Sequence, residues 1–333
     1  MEFGKGPLEG MGVMKVLIYG STGFVGANVT RFFIKKEEDV HVCLRNDSNT
    51  WRIKDLLENL VVHNGDLSLK NDIESTISSV RPDVVVNCAG VVAGFGIEDQ
   101  EGVIQKNFVN TVNLVNTCAK LNVDMLINTG SAYECGFSND PVMRNECLNA
   151  PLGLYGITKK AEREYIDMIA QKFEKKYVTL RLFTPFGFFD SPIRLIPYTI
   201  LSLLNDDVPY IKNPLSVRDF IYIEDVSKIY YALSTKPEVT DMGSVFNVGT
   251  GKMSRVIDIV KNLIGIAHAS YDEPSVYKNG STEYLYSDPK ETQQFLSKMN
   301  LTLTPLTESL KRTFYWFAQN QNYYTFPIGE GLS

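Results

Sequence analysis

The 333-residue sequence predicts a doubly wound α/β fold followed by a smaller, irregular lobe. Three observations carry that prediction. From Lys15 to about Leu182, short β-rich apolar runs alternate strictly with helical stretches. The runs are continuous rather than alternating in polarity, as strands covered on both faces require. From the "TPFG" of 184–187 onward the rhythm changes, and prolines at 185, 192, 197, 209 and 214 punctuate shorter segments.

In chain order, the predicted strands are "KVLIYG", "VHVCL", "LVVHNGD", "DVVVNCAG", "DMLINTG" and "KYVTLRLF". Helical stretches between them imply right-handed βαβ units and a parallel sheet. Beyond them, "DFIYIEDVSKIYYAL" reads as a strand running into a helix, "SVFNVGTGK" as a strand and turn, and 288–320 as helical. The expected division is a doubly wound domain over 14–185, to which about 219–250 returns, and a discontinuous second lobe over 186–330. A ligand cleft is expected where strands end at the boundary.

Composition narrows the function classes. Charged residues make up 22% and the formal net charge is −6, with no Lys/Arg cluster, which argues against a nucleic-acid surface. The leader "MEFGKGPLEGMGVM" has no apolar core of a secretory signal, and the longest apolar stretch, 84–97, is too short and too interrupted to span a membrane. Cys43, Cys88, Cys118, Cys135 and Cys147 show no C-x-x-C spacing and read as reduced thiols in a cytoplasmic protein. The histidines at 41, 63 and 268 have no metal-ligand spacing, so no metal site is expected.

"GSTGFVG" (20–26) follows the first strand and opens a helix. Gly20 permits the tight turn, Gly23 lets the backbone approach a pyrophosphate, and Gly26 allows close helix–strand packing, with Thr22 and Phe24 between them. The helix N-terminus supplies N–H donors and partial positive charge. Between a strand and a helix at the start of the chain, the motif reads as the dinucleotide site of a Rossmann-type fold, for NADP or NAD. After the second strand stand Arg45 and Asn46, where an acid would hold a ribose hydroxyl. Arg45 there can pair with a 2′-phosphate, which favours NADP; a solvated Arg45 with Asp47 on the ribose is the other option. Asp66 and Leu67 follow strand three, where the acid could take the adenine amino group. Cys88, Ala89 and Gly90 end strand four with room for ribose and pyrophosphate. These last two sets, after strands three and four, also suit ordinary turns.

Tyr155 and Lys159 sit four apart in "YGITK", on one helix face. The ordered set of motifs resembles the extended short-chain dehydrogenase/reductase family. It comprises T-G-x-x-G-x-x-G, Asp-Leu after strand three, an Asn in the fourth helix, Ser after strand five and Y-x-x-x-K. "RDFIYIEDV", "FNVGTG" and "DPKETQQFL" extend the similarity to about Tyr315. The resemblance implies an NAD(P)-dependent nucleotide-sugar enzyme in which Ser131, Tyr155 and Lys159 are catalytic and Asn107 supports them. A phenol ordinarily titrates near 10. An adjacent ammonium and a nicotinamide charge favour its phenolate, making proton exchange feasible at neutral pH. Lys159 can also bond the nicotinamide ribose, and Ser131 can hold the substrate oxygen beside Tyr155.

Relatives that dehydrate carry Asp-Glu after the Ser, where this chain has Ala132 and Tyr133. What remains is reduction of a 4-keto-6-deoxy nucleotide sugar, favoured by Arg45 and similar to CDP-abequose and CDP-paratose synthases, or 4-epimerisation with tightly held NAD. A non-enzymatic NADP-sensing regulator is the third class, disfavoured by the Tyr–Lys pair. On the substrate side, Arg218 matches the family's diphosphate-binding Arg, with pairing to Asp219 as the alternative. Arg194 is a second cation, and Lys278 falls near a further family contact. Tyr133 and Phe186 either wall the sugar or fill the core. "TPFG" departs from the usual N-x-Y-G and removes an amide. The resemblance also implies a homodimer through a four-helix bundle formed by 101–120 and 152–172.

Overall fold

The computed structural model describes residues 12–91, 99–137, 142–147, 150–270, 273–276 and 283–324. Its first half runs β1 (Lys15–Tyr19), α1 (Phe24–Lys35), β2 (Asp39–Leu44), β3 (Val61–Asn64), α2 (Lys70–Val80), β4 (Val84–Asn87), α3 (Gln100–Ile104), α4 (Asn110–Lys120), β5 (Met125–Ser131), β6 (Val142–Met143), α5 (Gly153–Phe173) and β7 (Lys176–Leu182). A π-helical turn, Gln105–Val109, joins α3 to α4. The second half holds β8 (Thr184–Phe186), α6 (Leu195–Leu204), β9 (Tyr210–Ile211), β10 (Val217–Arg218), β11 (Phe220–Tyr222), α7 (Ile223–Thr235) and β12 (Val245–Val248). It closes with β13 (Ser254–Arg255), α8 (Val256–Ala267), β14 (Ser275–Val276), β15 (Tyr284–Ser287), α9 (Pro289–Met299) and α10 (Leu306–Gln319).

Seven strands form one parallel sheet in the order β12-β7-β5-β4-β1-β2-β3. All six strands predicted from the first half are present, and β12 is the seventh. Alternate residues of β1 explain the two-sided burial: Val16 and Ile18 enter one core with α1 and α7, while Leu17 and Tyr19 enter another with α4 and α5. All four are at most 1% exposed, each contributing on the order of 2 kcal/mol by burial. β1 pairs with β2 on one side and β4 on the other, so the strand order reverses there and a crevice opens beyond the strand ends.

The stretch 288–320, read as helical, holds two helices. Asp288 caps α9 by accepting from the N–H groups of Lys290 and Glu291, with Pro289 in the first turn. Asn300 then takes a left-handed conformation, φ 55°, and Pro305 precedes α10. The cysteines also depart from expectation. Cys135 and Cys147 form a disulfide with Cα atoms 5.5 Å apart, while Cys43, Cys88 and Cys118 are free. Their separation of 12 residues is no signal by itself; β6 pairing with β15 brings Cys147 back under the end of β5. The thiols therefore no longer argue for a reducing compartment. Among the described residues, no helix is long and apolar enough to cross a membrane.

Asp219, between β10 and β11, stitches the second half to the sheet. Its carboxylate is fully buried and accepts from Thr250 N–H at 2.7 Å, Thr250 Oγ1 at 2.6 Å, Gly251 N–H at 3.0 Å and Ser287 Oγ at 2.6 Å. Burial raises its pKa, against the pull of the Ser287 and Thr250 hydrogen bonds. Asp219→Ala leaves several buried donors unmatched, and a loss of about 3 kcal/mol in urea denaturation is expected. A loss below ~1 kcal/mol would show that these bonds do not hold the halves together.

Candidate active site

At the reversal of strand order, the ends of β1 and β4 meet over a glycine turn. Gly20 has φ 77°, and a Cβ there would collide with the Cys88–Ala89 backbone, so only glycine fits between the strand ends. Gly23 caps α1 and donates its N–H to the Gly20 carbonyl at 3.0 Å. Gly26 lies where a Cβ would run into that same carbonyl. Thr22, Gly23 and Phe24 remain at least partly exposed, and the first turn of α1 carries no acid. A pyrophosphate at this helix end would meet backbone donors and a positive dipole, so the residues fit a dinucleotide. Arg52, which no motif singles out, closes one side by donating Nε to the Phe189 carbonyl at 2.9 Å and Nη1 to the Thr22 carbonyl at 3.3 Å.

Arg45 and Asn46 are exposed just past β2. Arg45 Nε donates to Asp47 Oδ1 at 2.9 Å, and that bond holds the Asp47 carboxyl below its usual range. The strand end thus carries an acid and a base engaged with each other, not a lone cation. Asp66 is half-buried; its Oδ1 accepts the Ser68 N–H at 2.8 Å in a local turn, and the Leu67 carbonyl accepts from Asn113. Cys88 Sγ accepts from Thr129 Oγ1, and burial pushes the thiol up to about 11. Ala89 donates its N–H to Asn87 Oδ1. Gly90 lies beside the proton-transfer candidates: a Cβ there would stand 3.1 Å from Asn107 Oδ1 and 3.3 Å from Lys159 Nζ.

Helix α5 presents Tyr155 and Lys159 beneath the end of β5. Tyr155 is half-buried, and Tyr133 packs edge-on against it at 6.0 Å between ring centroids. Lys159 is 4% exposed; its Nζ donates to the Thr129 carbonyl at 3.1 Å and to Glu162 Oε2 at 3.0 Å. Ser131 ends β5, and its Oγ accepts the Tyr133 N–H at 3.3 Å. Asn107, fully buried in the π-helical turn, clasps the Val91 backbone through both amide atoms and donates to Thr158 Oγ1 at 3.1 Å. It therefore ties the end of β4 to α5.

Burial opposes the Lys159 charge, but Glu162, Tyr155 and Glu134 together leave its pKa raised. Glu162 stands in the charge-rich "KKAERE", where no motif singles it out. Its signal was position: Tyr155, Lys159 and Glu162 stand at i, i+4 and i+7, one stripe of the helix. A second buried group braces the same region. Glu134 accepts from Arg181 Nε and lies 3.4 Å from Arg163 Nε, while Arg181 also donates to the Asn145 carbonyl and Asn247 Oδ1.

The substrate candidates are placed differently from one another. Arg218 pairs with Glu283 at 2.8 Å, not with Asp219, and its guanidinium lies over the Phe137 ring at 4.9 Å. Arg194, at the start of α6, is partly exposed with Nε 3.8 Å from Asp190. Phe186 is buried against Phe220 and Tyr222 and belongs to the core. Lys278 lies outside the described residues. Among the described residues, no group of three or more His, Cys, Asp or Glu is arranged to hold a metal.

The model of the NAD dependent epimerase/dehydratase family matches residues 16–249. The chain belongs to that family. Within the epimerase/dehydratase family it is 26% identical over 317 residues to a putative UDP-glucose 4-epimerase of Methanocaldococcus jannaschii, covering 92% of this chain and 99% of that one. Its fold is shared with a UDP-N-acetylglucosamine 4-epimerase from Methanobrevibacter ruminantium, with TM-score 0.81, 21% identity and coverage of 93% and 100%. It is shared equally with a dTDP-glucose 4,6-dehydratase from Bacillus anthracis in complex with NAD, with TM-score 0.81, 17% identity and coverage of 94% and 99%. At these identities the two structures speak for the fold alone.

Proposed function

We propose that this family member is an NAD-dependent nucleotide-sugar 4-epimerase. The observation that carries the reading is the convergence of Ser131, Tyr155 and Lys159 at the end of β5, with Ala132 and Tyr133 beside them. That set can move one proton to and from a hydroxyl, and it offers no acid–base pair at 132 and 133 for taking a proton from carbon. A bound nicotinamide supplies the acceptor and later donor of hydride. Gly20, Thr22, Gly23, Phe24 and Gly26 would hold its pyrophosphate, and Lys159 its ribose.

In the reaction, Ser131 orients the sugar 4-hydroxyl towards Tyr155. Tyr155 takes the hydroxyl proton and returns it after the sugar has presented its other face. Lys159 stands beside Tyr155 as the positive charge that faces the proton exchange. Two observations support NAD over NADP: Asp47 occupies Arg45, and Asp47 is itself an acid of the kind that accepts from a ribose hydroxyl. The similarity to a UDP-glucose 4-epimerase supports UDP as the nucleotide and a hexose as the sugar. Half-exposed Arg45 keeps reduction of a 4-keto sugar by NADPH as the second reading.

A homodimer belongs to the same proposal. Ile157 and Met168 on α5 are 54% and 52% exposed, and Ile104 on α3 is 40% exposed, an apolar set that a second copy would cover. Light scattering at micromolar concentration is expected to give twice the monomer mass; a monomer would overturn it. Incubation with UDP-glucose or UDP-N-acetylglucosamine is expected to yield the 4-epimers without net oxidation. Tyr155→Phe should slow this by roughly 10²–10⁴-fold. Stoichiometric NADPH loss on 4-keto-6-deoxy sugars, with no epimer formed, would replace the epimerase by the reductase.

A further inference from the structure

A buried lysine needs negative charge close by in every state through which the reaction passes. The titratable groups around Lys159 are Tyr155 and Glu162 on α5, Cys88 at the end of β4 and Glu134 in the turn after β5, with Tyr230 of α7 behind them against Cys88 and Tyr155. Cys88 and Tyr230 are both held neutral, since burial raises the thiol to about 11 and the Tyr230 phenol well above its ordinary value. Glu134 is already engaged by Arg181 and Arg163. Tyr155 is anionic for only part of a catalytic cycle. One carboxylate remains. Glu162 is 0% exposed and 3.0 Å from Nζ, and Lys159 is the single cation within salt-bridge distance of it among the described residues.

We propose that Glu162 is a positioning residue that keeps Lys159 protonated and aimed at the Gly90 backbone while Tyr155 alternates between phenol and phenolate. The inference rests on Tyr155 and Lys159 being the proton-transfer pair. Without Glu162, Lys159 would have a neutral neighbour whenever Tyr155 held its proton, and burial would then favour the uncharged amine. The Thr129 carbonyl could still accept a bond from that amine, so position would partly survive while charge was lost. Burial also pushes the Glu162 carboxyl up to about 7, with Lys159 and Asn128 pulling it back.

The test reads Lys159 itself. Protein made with lysine labelled by ¹³C at Cε is titrated by NMR, and the Lys159 signal is assigned by its loss in Lys159→Arg. In wild type the charged form is expected to persist above the ordinary lysine range. In the near-isosteric Glu162→Gln the midpoint is expected to fall by at least one unit, about tenfold in proton affinity. In the same variant the basic limb of the turnover profile should move down by a matching amount, with KM little changed. Glu162→Asp, which keeps the charge one methylene farther away, should fall by less and serves if Glu162→Gln does not fold. An unmoved Lys159 midpoint in a folded Glu162→Gln or Glu162→Asp variant overturns the proposal. Failure of the wild type to turn over any sugar would overturn the epimerase reading instead, and the NMR titration would still decide the role of Glu162.

Discussion

The site depends on keeping one ammonium charged where water barely reaches. Lys159 is held between the Thr129 carbonyl and the Glu162 carboxylate, beneath the ends of the central strands. A lone charge there would be expelled or neutralised by the cost of desolvation. A paired one keeps its field directed at a neighbouring phenol. The strand ends and the proposed proton-transfer pair converge on that pairing, because Thr129 comes from β5, Gly90 from the end of β4, and Tyr155, Lys159 and Glu162 from one stripe of α5.

The sheet topology explains why these parts meet. Parallel strands end on one side, and the order reverses between β1 and β4. Gly20 lets β1 turn within contact of the Cys88–Ala89 backbone, which places the glycine turn and the end of β4 side by side. Asn107 then fastens the segment after β4 to α5 through Val91 and Thr158. Asp219 does the equivalent task for the second half, gathering three chain segments around one buried carboxylate. Asn107 and Asp219 are each polar groups buried with their partners, so each fixes a geometry as well as contributing stability.

Much of this was legible before any coordinates. Continuous apolar runs mark strands with two covered faces, and the glycine triplet after the first of them marks a turn that a side chain would obstruct. Tyr155 and Lys159 acquire meaning from their place after strand five and not from their spacing alone. What stayed hidden depends on tertiary neighbours. Glu162 sits in a run of charges, set apart only by its i+7 place on the Tyr155–Lys159 stripe, and its ion pair and full burial appear only in three dimensions. Arg45 looked like a phosphate ligand until Asp47, two residues on, was found to occupy it. Arg218 meets Glu283 across 65 residues, and Cys135 meets Cys147 through the pairing of β6 with β15. The break at Asn300 was written in its left-handed conformation, which a helical pattern running from 288 to 320 obscures.

The most direct test of the central claim is the affinity of Lys159→Met for NADH, followed by the nicotinamide fluorescence of folded protein. If Lys159 holds both the cofactor ribose and the charge on which Tyr155 relies, affinity should fall by about tenfold or more, in line with loss of a charge-assisted hydrogen bond, and turnover should vanish. Wild-type NADH affinity together with retained turnover in that variant would contradict the account.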